Sequence, residues 1–286
     1  TWTQHSVAGA SPGILQGNDE TSGIYGRFAY VDVLDKFALI KGIDDNVFLL
    51  DVRNDLDKPI TTFDIISATS NLQQPFTTAV GFKKSDLMGT PALDLEHYQV
   101  EVKRYWNDGS VKHAIFSGVY NSTAGVPTTV TVIDNGNVPT GADLTEADIV
   151  VAAPTASVQL GSIGTVNLSD LLGFPERIWL QGPEMIEAHY QAEVAADPTL
   201  SVWFHVRLYA DGAMRIRVVV DNGTVDINDE SGVTKSYVPT VTVGDQVVYD
   251  NNGTLLDHSQ HSRWTAKGWI NITDPQISVS HDTGYL

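Results

Sequence analysis

Residues Tyr98–Tyr120 read YQVEVKRYWNDGSVKHAIFSGVY, two alternating runs flanking Asp108-Gly109. Asp-Gly supplies the positive φ angles that a tight hairpin needs, so this stretch predicts an antiparallel strand pair. With Asp108-Gly109 as a two-residue loop, Trp106 faces Val111, Arg104 faces His113, Tyr105 faces Lys112, Val102 faces Ile115 and Tyr98 faces Val119. One face of the pair is then apolar, as expected over a core. The other is either a solvated strand face with a packed Trp106 or an exposed sugar-binding platform.

Outward from this hairpin the same rhythm continues. Short segments rich in Val, Ile, Thr and aromatics alternate with Gly, Pro, Asn and Asp clusters, as in VTVIDNGNVPTG, VPTVTVGDQVVYDNNG and WINITDPQISVS. This predicts an all-β protein. Helical candidates are confined to Thr145–Val151, Leu168–Leu172 and a turn at Lys84–Met88, and no repeat of fixed period emerges. A shift toward Gly, Pro and acidic residues between Asn137 and Pro154 predicts a connection. The expected organisation is an extended arm (1–24, rich in Gly, Ser and Asn), a β-barrel domain (25–140) and a β-sandwich-like domain (141–286). The arm, too polar to be ordered by its own burial, is expected to pack on a neighbouring subunit.

The chain has 286 residues, with 17 Lys+Arg against 35 Asp+Glu, a formal charge of −18 and no Cys. Such a charge repels a phosphate backbone or an anionic membrane at long range, so neither nucleic acid nor membrane is expected as a partner. No apolar run approaches the roughly 18 residues of a membrane helix. Without Cys, disulfides and thiolate metal sites are excluded. The start at Thr1 suggests a processed or partial polypeptide, or an arbitrary boundary.

A second hairpin, Ser201–Val220, carries the strongest chemistry. A two-residue loop would set Leu208 opposite Arg215 and Arg207 opposite Ile216, mixing polar and apolar on both faces. A three-residue loop, Ala210-Asp211-Gly212, instead pairs Val206 with Ile216, Phe204 with Val218 and Leu208 with Met214, giving a uniformly apolar core face. The opposite face then holds Trp203, His205, Arg207, Tyr209, Arg215 and Arg217, with Arg207 directly across from Arg215. Like charges so placed destabilise a strand pair, which requires a carboxylate nearby. Glu184 or Glu187 of the segment Leu180–His189 is one source. An external anion such as a uronate or sulfate, held by Arg forks with an aromatic stacking on the sugar, is the other.

Other patterns carry less. His258 and His261 have a spacing that fits two metal ligands, but no third ligand is fixed, and a surface loop is the plainer reading. The acidic run Asp221–Glu230 misses the calcium-loop template because its glycine, Gly232, falls one position late. Asn-x-Ser/Thr triplets begin at Asn121, Asn167, Asn222, Asn252 and Asn271, a common product of β sequences rich in Asn and Thr. With no G-x-S-x-G elbow, phosphate-binding glycine loop or H-E-x-x-H, no catalytic residue, metal site or cofactor is assigned.

The string Trp106-Asn107-Asp108-Gly109-Ser110-Val111-Lys112 resembles the W-x-DGS-x-K signature of the N-terminal β-barrel in exo-rhamnogalacturonan lyase-like proteins. That family's extended strand and its P-x-x-x-G-(x)-x-G segment have counterparts in Leu50–Asn54 and in Gln74–Lys83 with Asp86-Leu87. Trp179–Pro183 and Phe204–Asn222 resemble a β-sandwich segment in members encoded by bacteriophages and prophages, and His281–Leu286 resembles a junction that longer members continue past. The resemblance covers about two thirds of the chain. It implies catalytic groups on a helical toroid following the β domains, and no helical region of that kind is present in this sequence. The resulting expectation is a non-catalytic structural module of a phage virion, located in the virion or extracellularly. It would be a tail, fibre or surface-decoration component working through contacts with other virion subunits or its own copies, with binding of acidic polysaccharide as a further role. The alternative is a polysaccharide lyase or the N-terminal portion of one, with His205 and Tyr209 beside Arg207 as the groups for β-elimination.

Overall fold

The computed structural model describes the backbone at 28–31, 36–40 and 47–50, and the chain at 58–134, 138–223 and 233–281. The expected arm (1–24), the Leu50–Asn54 counterpart beyond Leu50, most of the acidic run after Gly223 and the junction beyond His281 lie outside these residues. Two compact units divide the chain, Thr1–Asp55 and Leu56–Leu286. In the first, β1 (Phe28–Val31), β2 (Lys36–Ile40) and β3 (Val47–Leu50) form an antiparallel sheet in that order.

The second unit opens with β4 (Lys58–Ile66), β5 (Asn71–Gly81), β6 (Pro91–Leu93), β7 (His97–Tyr105), β8 (Val111–Ser122) and β9 (Thr128–Asp134). After a short helix, α1 (Glu146–Ala152), come β10 (Ala156–Leu160), β11 (Thr165–Asn167), β12 (Arg177–Leu180), β13 (Met185–Val194), β14 (Asp197–Tyr209) and β15 (Met214–Asp221). The chain ends its described part with β16 (Lys235–Tyr237), β17 (Pro239–Val243), β18 (Gln246–Asp250), β19 (Leu256–His258), β20 (Arg263–Ile270) and β21 (Ser278–His281). The protein is therefore all-β. α1 forms where Thr145–Val151 predicted a helix, because the Thr145 backbone N–H and hydroxyl both donate to the Asp148 carboxylate, at 2.7 and 2.8 Å, fixing the first turn. Leu168–Asp170 is a 3-10 turn, within the predicted Leu168–Leu172.

Two hydrophobic cores lie inside the second unit, one built mostly before residue 140 and completed by the C-terminal β21, the other built after it. One is enclosed by the sheets β21-β4-β9-β6 and β5-β8-β7 and contains Phe63, Ile65, Phe76, Tyr98, Phe116 and Val130. The other is enclosed by β11-β10-β17-β18 and β12-β13-β14-β15-β20 and contains Val158, Leu160, Tyr190, Phe204, Ile216 and Val241. Each is a pair of sheets face to face over alternating inward residues, the arrangement expected of a sandwich. No described sheet closes into a barrel, so the barrel expected over 25–140 is not seen among the described residues.

A third cluster, Leu180, Met185, Tyr209 and Ala213 with Ile115 and Trp269 packed against it, joins the two cores. Gln99, buried in β7, pins the same seam. Its amide donates to the Met185 carbonyl at 2.9 Å and its oxygen accepts from the Glu184 and Met185 N–H groups at 2.9 and 2.7 Å. Nearby, Lys103 donates to the Trp179 carbonyl at 2.6 Å and the Thr77 hydroxyl meets the Tyr209 hydroxyl at 2.9 Å.

The second hairpin has the predicted register: Val206 pairs with Ile216, Phe204 with Val218, Leu208 with Met214 and Arg207 with Arg215. Gly212, at φ 86°, takes the left-handed position of the three-residue loop. The first hairpin departs from its predicted register by one residue. Trp106 N–H donates to the Ser110 carbonyl at 2.8 Å, so the loop is Asn107-Asp108-Gly109, with Gly109 at φ 87°. Tyr98 consequently faces Gly118, Val100 faces Phe116 and Val102 faces Ala114, while the Arg104–His113 pair survives because bulges flank it. Asp108 selects the longer loop by accepting from the Ser110 N–H at 3.1 Å, as Asp211 accepts from the Ala213 N–H at 3.0 Å in the second hairpin. The new register also places the strands so close that a Cβ on Gly118 would lie 2.2 Å from the His97 carbonyl oxygen.

Candidate functional site

In β14, Val202, Phe204, Val206 and Leu208 point into the core, so Trp203, His205 and Arg207 stand on the outer face of the five-stranded sheet. The register then assembles two rows across the strands. Glu187, Arg207, Arg215 and Trp269 form one, and Arg177, His189, His205, Arg217 and Lys267 the next. With Arg263, two rungs farther along β20, this face gathers six of the 17 Lys and Arg residues of a strongly acidic chain.

Glu187 is the carboxylate that the opposed arginines required. It is buried, accepts from His189 Nε2 at 2.7 Å and accepts from Arg207 Nε at 2.5 Å. Burial alone would raise its pKa. The His189 hydrogen bond and the Arg207 charge reverse that and hold it at about 2. For Arg207, burial opposes the charge, but Tyr209 and Glu187 outweigh it and raise the pKa. Glu184, the other expected partner, lies instead 3.5 Å from His97.

His189 is the hub of this arrangement. Arg177 Nε donates to its Nδ1 at 2.9 Å, and its Nε2 lies 2.7 Å from the Glu187 carboxylate. Its ring stacks on His205 with centroids 3.7 Å apart and planes 9° from parallel. Burial, then the neighbouring His189, push the His205 pKa down to about 4.

Arg215 has no such settlement. Its Nε is buried without a hydrogen-bond partner, and burial, followed by the adjacent Arg207 charge, pushes its pKa down. Together with Arg217, Arg207, His205 and Glu187 it lines a pit of about 70 Å³. A buried donor on a cation that stays charged at any ordinary pH is a standing demand for an anion.

Glu187, His189 and His205 bring their ligand atoms within 4.8 Å of one another, the spacing of a metal site. The chemistry argues otherwise. Both His189 nitrogens are engaged, and the surrounding guanidiniums repel a cation. His258 is a buried structural residue, accepting from the Tyr237 hydroxyl at 2.7 Å and donating to the Ser262 carbonyl at 2.9 Å, whereas His261 is exposed. Asn222, a sequon residue, is also buried, its amide donating to the Val233 and His258 carbonyls.

Of the six residues expected to bind glycan, Trp203, His205, Arg207, Arg215 and Arg217 share the outer face. Tyr209 stands on the same side beside Arg207 but is buried at the seam, stacked on Trp269 with centroids 6.2 Å apart and with its hydroxyl against that of Thr77, so it is not offered to a ligand. In the first hairpin, Trp106 donates its indole N–H to the Phe82 carbonyl at 3.0 Å, and Lys112 covers its ring at 4.2 Å. That indole is packed rather than offered as a platform.

Arg177, His189, Lys267 and Arg263 were not among the expected site residues. The alternation Arg263-Thr265-Lys267-Trp269 in one strand was a usable signal, since it sets polar and aromatic residues on one face. What placed that face beside Arg217 is a pairing between β15 and β20 that no local pattern specifies.

The histidines predict an acid sensitivity. His205, with a pKa of about 4 against an ordinary 6.5, is neutral in the fold, and burial also lowers the pKa of His258. The unfolded chain therefore binds more protons below pH 6.5, so stability present above that value is lost as pH falls toward about 4. Thermal melts at pH 7.5 and 4.5 should show the loss, and His205→Gln should reduce it. An unchanged loss in that variant would remove His205 as its source.

No protein-family model matches this chain, and no curated protein matches it either.

Proposed function

We propose that the outer face of the five-stranded sheet binds an acidic glycan, and that the chain is a non-catalytic β-module of a virion. Arg215 carries the binding reading: a buried, unpartnered guanidinium nitrogen in a cation-lined pit, within a chain whose net charge of −18 would otherwise disfavour anions. A uronate or sulfate oxygen would pair Arg215 and Arg217 while sugar hydroxyls meet His205, whose ring nitrogens make no hydrogen bond among the described residues. The virion role rests on the sequence resemblance, with residues 25–140 as the counterpart of the family's barrel domain. Its partners would be other virion subunits or further copies of the chain, in the virion or outside the cell. Electron microscopy of native particles tests this part: chains at fixed positions on a tail or capsid support it, and their absence from particles overturns it.

For the binding site, Arg215→Ala and Arg217→Ala should each weaken an oligouronate by about 10- to 100-fold. A charge-assisted hydrogen bond contributes roughly 1.5–3 kcal/mol, and about 1.4 kcal/mol is tenfold in affinity. Arg207, already paired with Glu187, serves the fold. Arg207→Ala should lower the melting temperature and leave binding close to that of the parent. Titration calorimetry at low salt separates the three, and equal affinities in all of them would end this assignment.

β-Elimination is the second reading, favoured by a neutral His205 beside guanidiniums able to neutralise a uronate carboxylate. Two features weigh against it. A base with a pKa of about 4 removes a carbon-bound proton poorly, and Tyr209 is buried with its hydroxyl bound to Thr77. Release of unsaturated uronate, read by its ultraviolet absorbance, would reverse this choice.

A further inference from the structure

We infer that the face takes an internal stretch of a polyanionic chain rather than a single acidic sugar, through a second anion subsite built by Arg177, Trp203 and Arg263. This rests on the acidic-glycan reading above and extends it. A cavity of about 190 Å³ adjoins the Arg215 pit, walled by these three residues with His205, Val219 and Asp221. His205 lines both spaces, so they are neighbours on this face. Beyond Trp203 a more open region of about 430 Å³ follows, past Ser201 and His261.

The register gives the length. Arg217 pairs with Lys267, whereas Arg263 pairs with Asp221, four residues farther along both strands. At 3.3–3.4 Å per residue their backbone positions are about 13 Å apart along the strand, more than one sugar ring spans. Between them Trp203 sits opposite Val219 and its indole N–H donates to no described residue. An indole flanked by cations suits a sugar ring whose carboxylate is read at its edge.

Each cation has capacity to spare. Arg177 hydrogen-bonds only through Nε, to His189, with one face of its guanidinium over the Trp179 ring at 5.0 Å, which leaves the edges of its terminal nitrogens for a ligand. Arg263 is 69% exposed and only 3.4 Å from one Asp221 oxygen. That carboxylate would in turn accept from sugar hydroxyls, so this end reads a mixed pattern of charge and hydroxyl. Two anchors joined by one ligand chain raise affinity by effective concentration, without any new type of contact.

Calorimetric titration of galacturonate monomer, trimer and hexamer against the whole chain tests the inference. The hexamer should bind on the order of tenfold or more tighter than the monomer. Arg263→Ala should abolish that gain while leaving the monomer unchanged, Arg177→Ala should also remove the gain, and Arg215→Ala should weaken every length alike. Equal affinity for monomer and hexamer, or full retention of hexamer binding in both subsite variants, would overturn the extended site while leaving the glycan reading intact. If no length binds, and sulfated oligomers also fail, the glycan reading itself falls.

Discussion

Gln99→Leu should cost about 3 kcal/mol or more and uncouple the two halves of the second unit. Leucine fills a similar volume but leaves the Glu184 N–H, the Met185 N–H and the Met185 carbonyl without the partners they have in the fold. An unsatisfied buried backbone group costs about 1–3 kcal/mol, and three are created at once. A direct repair by movement is obstructed, since the chain already approaches so closely that a Cβ on Gly182 would lie 2.6 Å from the Gln99 oxygen. Scanning calorimetry should show a transition at least several degrees lower. It should also be broader or split, as the core around Phe116 and the core around Phe204 lose their common pin. Hydrogen exchange at the Glu184 and Met185 amides should accelerate. A single transition at the parental temperature would show that the amide contributes little to the seam.

Glu187→Gln should cost about 3 kcal/mol, near the low end for breaking a buried ion pair, because Arg207 retains some access to solvent. The neutral amide cannot accept from both His189 and Arg207 as the carboxylate does, and it leaves Arg207 and Arg215 facing each other without a counter-charge. At about 2–4 °C per kcal/mol for a domain of this size, the melting temperature should fall by roughly 6–12 °C. Added sulfate should restore more stability to the variant than to the parent, since the anion then replaces the lost carboxylate as well as meeting Arg215. If sulfate raises both equally, the guanidiniums do not form one anion-seeking group.

The two hairpins show which parts of the fold were legible and why. In the second, only one loop length sorts apolar from charged residues, so Arg207 and Arg215 forced the register and, with it, the need for Glu187. In the first, Tyr98, Val100 and Val102 alternate with residues whose partners tolerate either pairing, and the apolar test could not see a one-residue slip. The turn chemistry could have. Both loops place Asp just before a positive-φ Gly, and in both the carboxylate caps the N–H two residues on. The site was readable to the extent that one hairpin carries it. His189, Arg177 and Lys267 entered through neighbouring strands, whose order across the sheet is a tertiary outcome. Tyr209 keeps the outer side that strand alternation gives it, but its burial was not legible, because the sheet's end is covered by residues from the other core.

β21 returns to lie beside β4, and Ser67 donates to the Pro275 carbonyl at 3.2 Å, 208 positions along the chain. A ribosome adds about 5–20 residues per second, so β4 leaves synthesis some ten to forty seconds before its edge partner exists. During that interval the Phe63–Ile66 edge is an open template for other nascent chains. Chains crowded on one messenger would be at greatest risk. Slow refolding limited by this closure, and losses that grow with chain concentration, are the kinetic signature to expect of a sheet completed by its most distant strand.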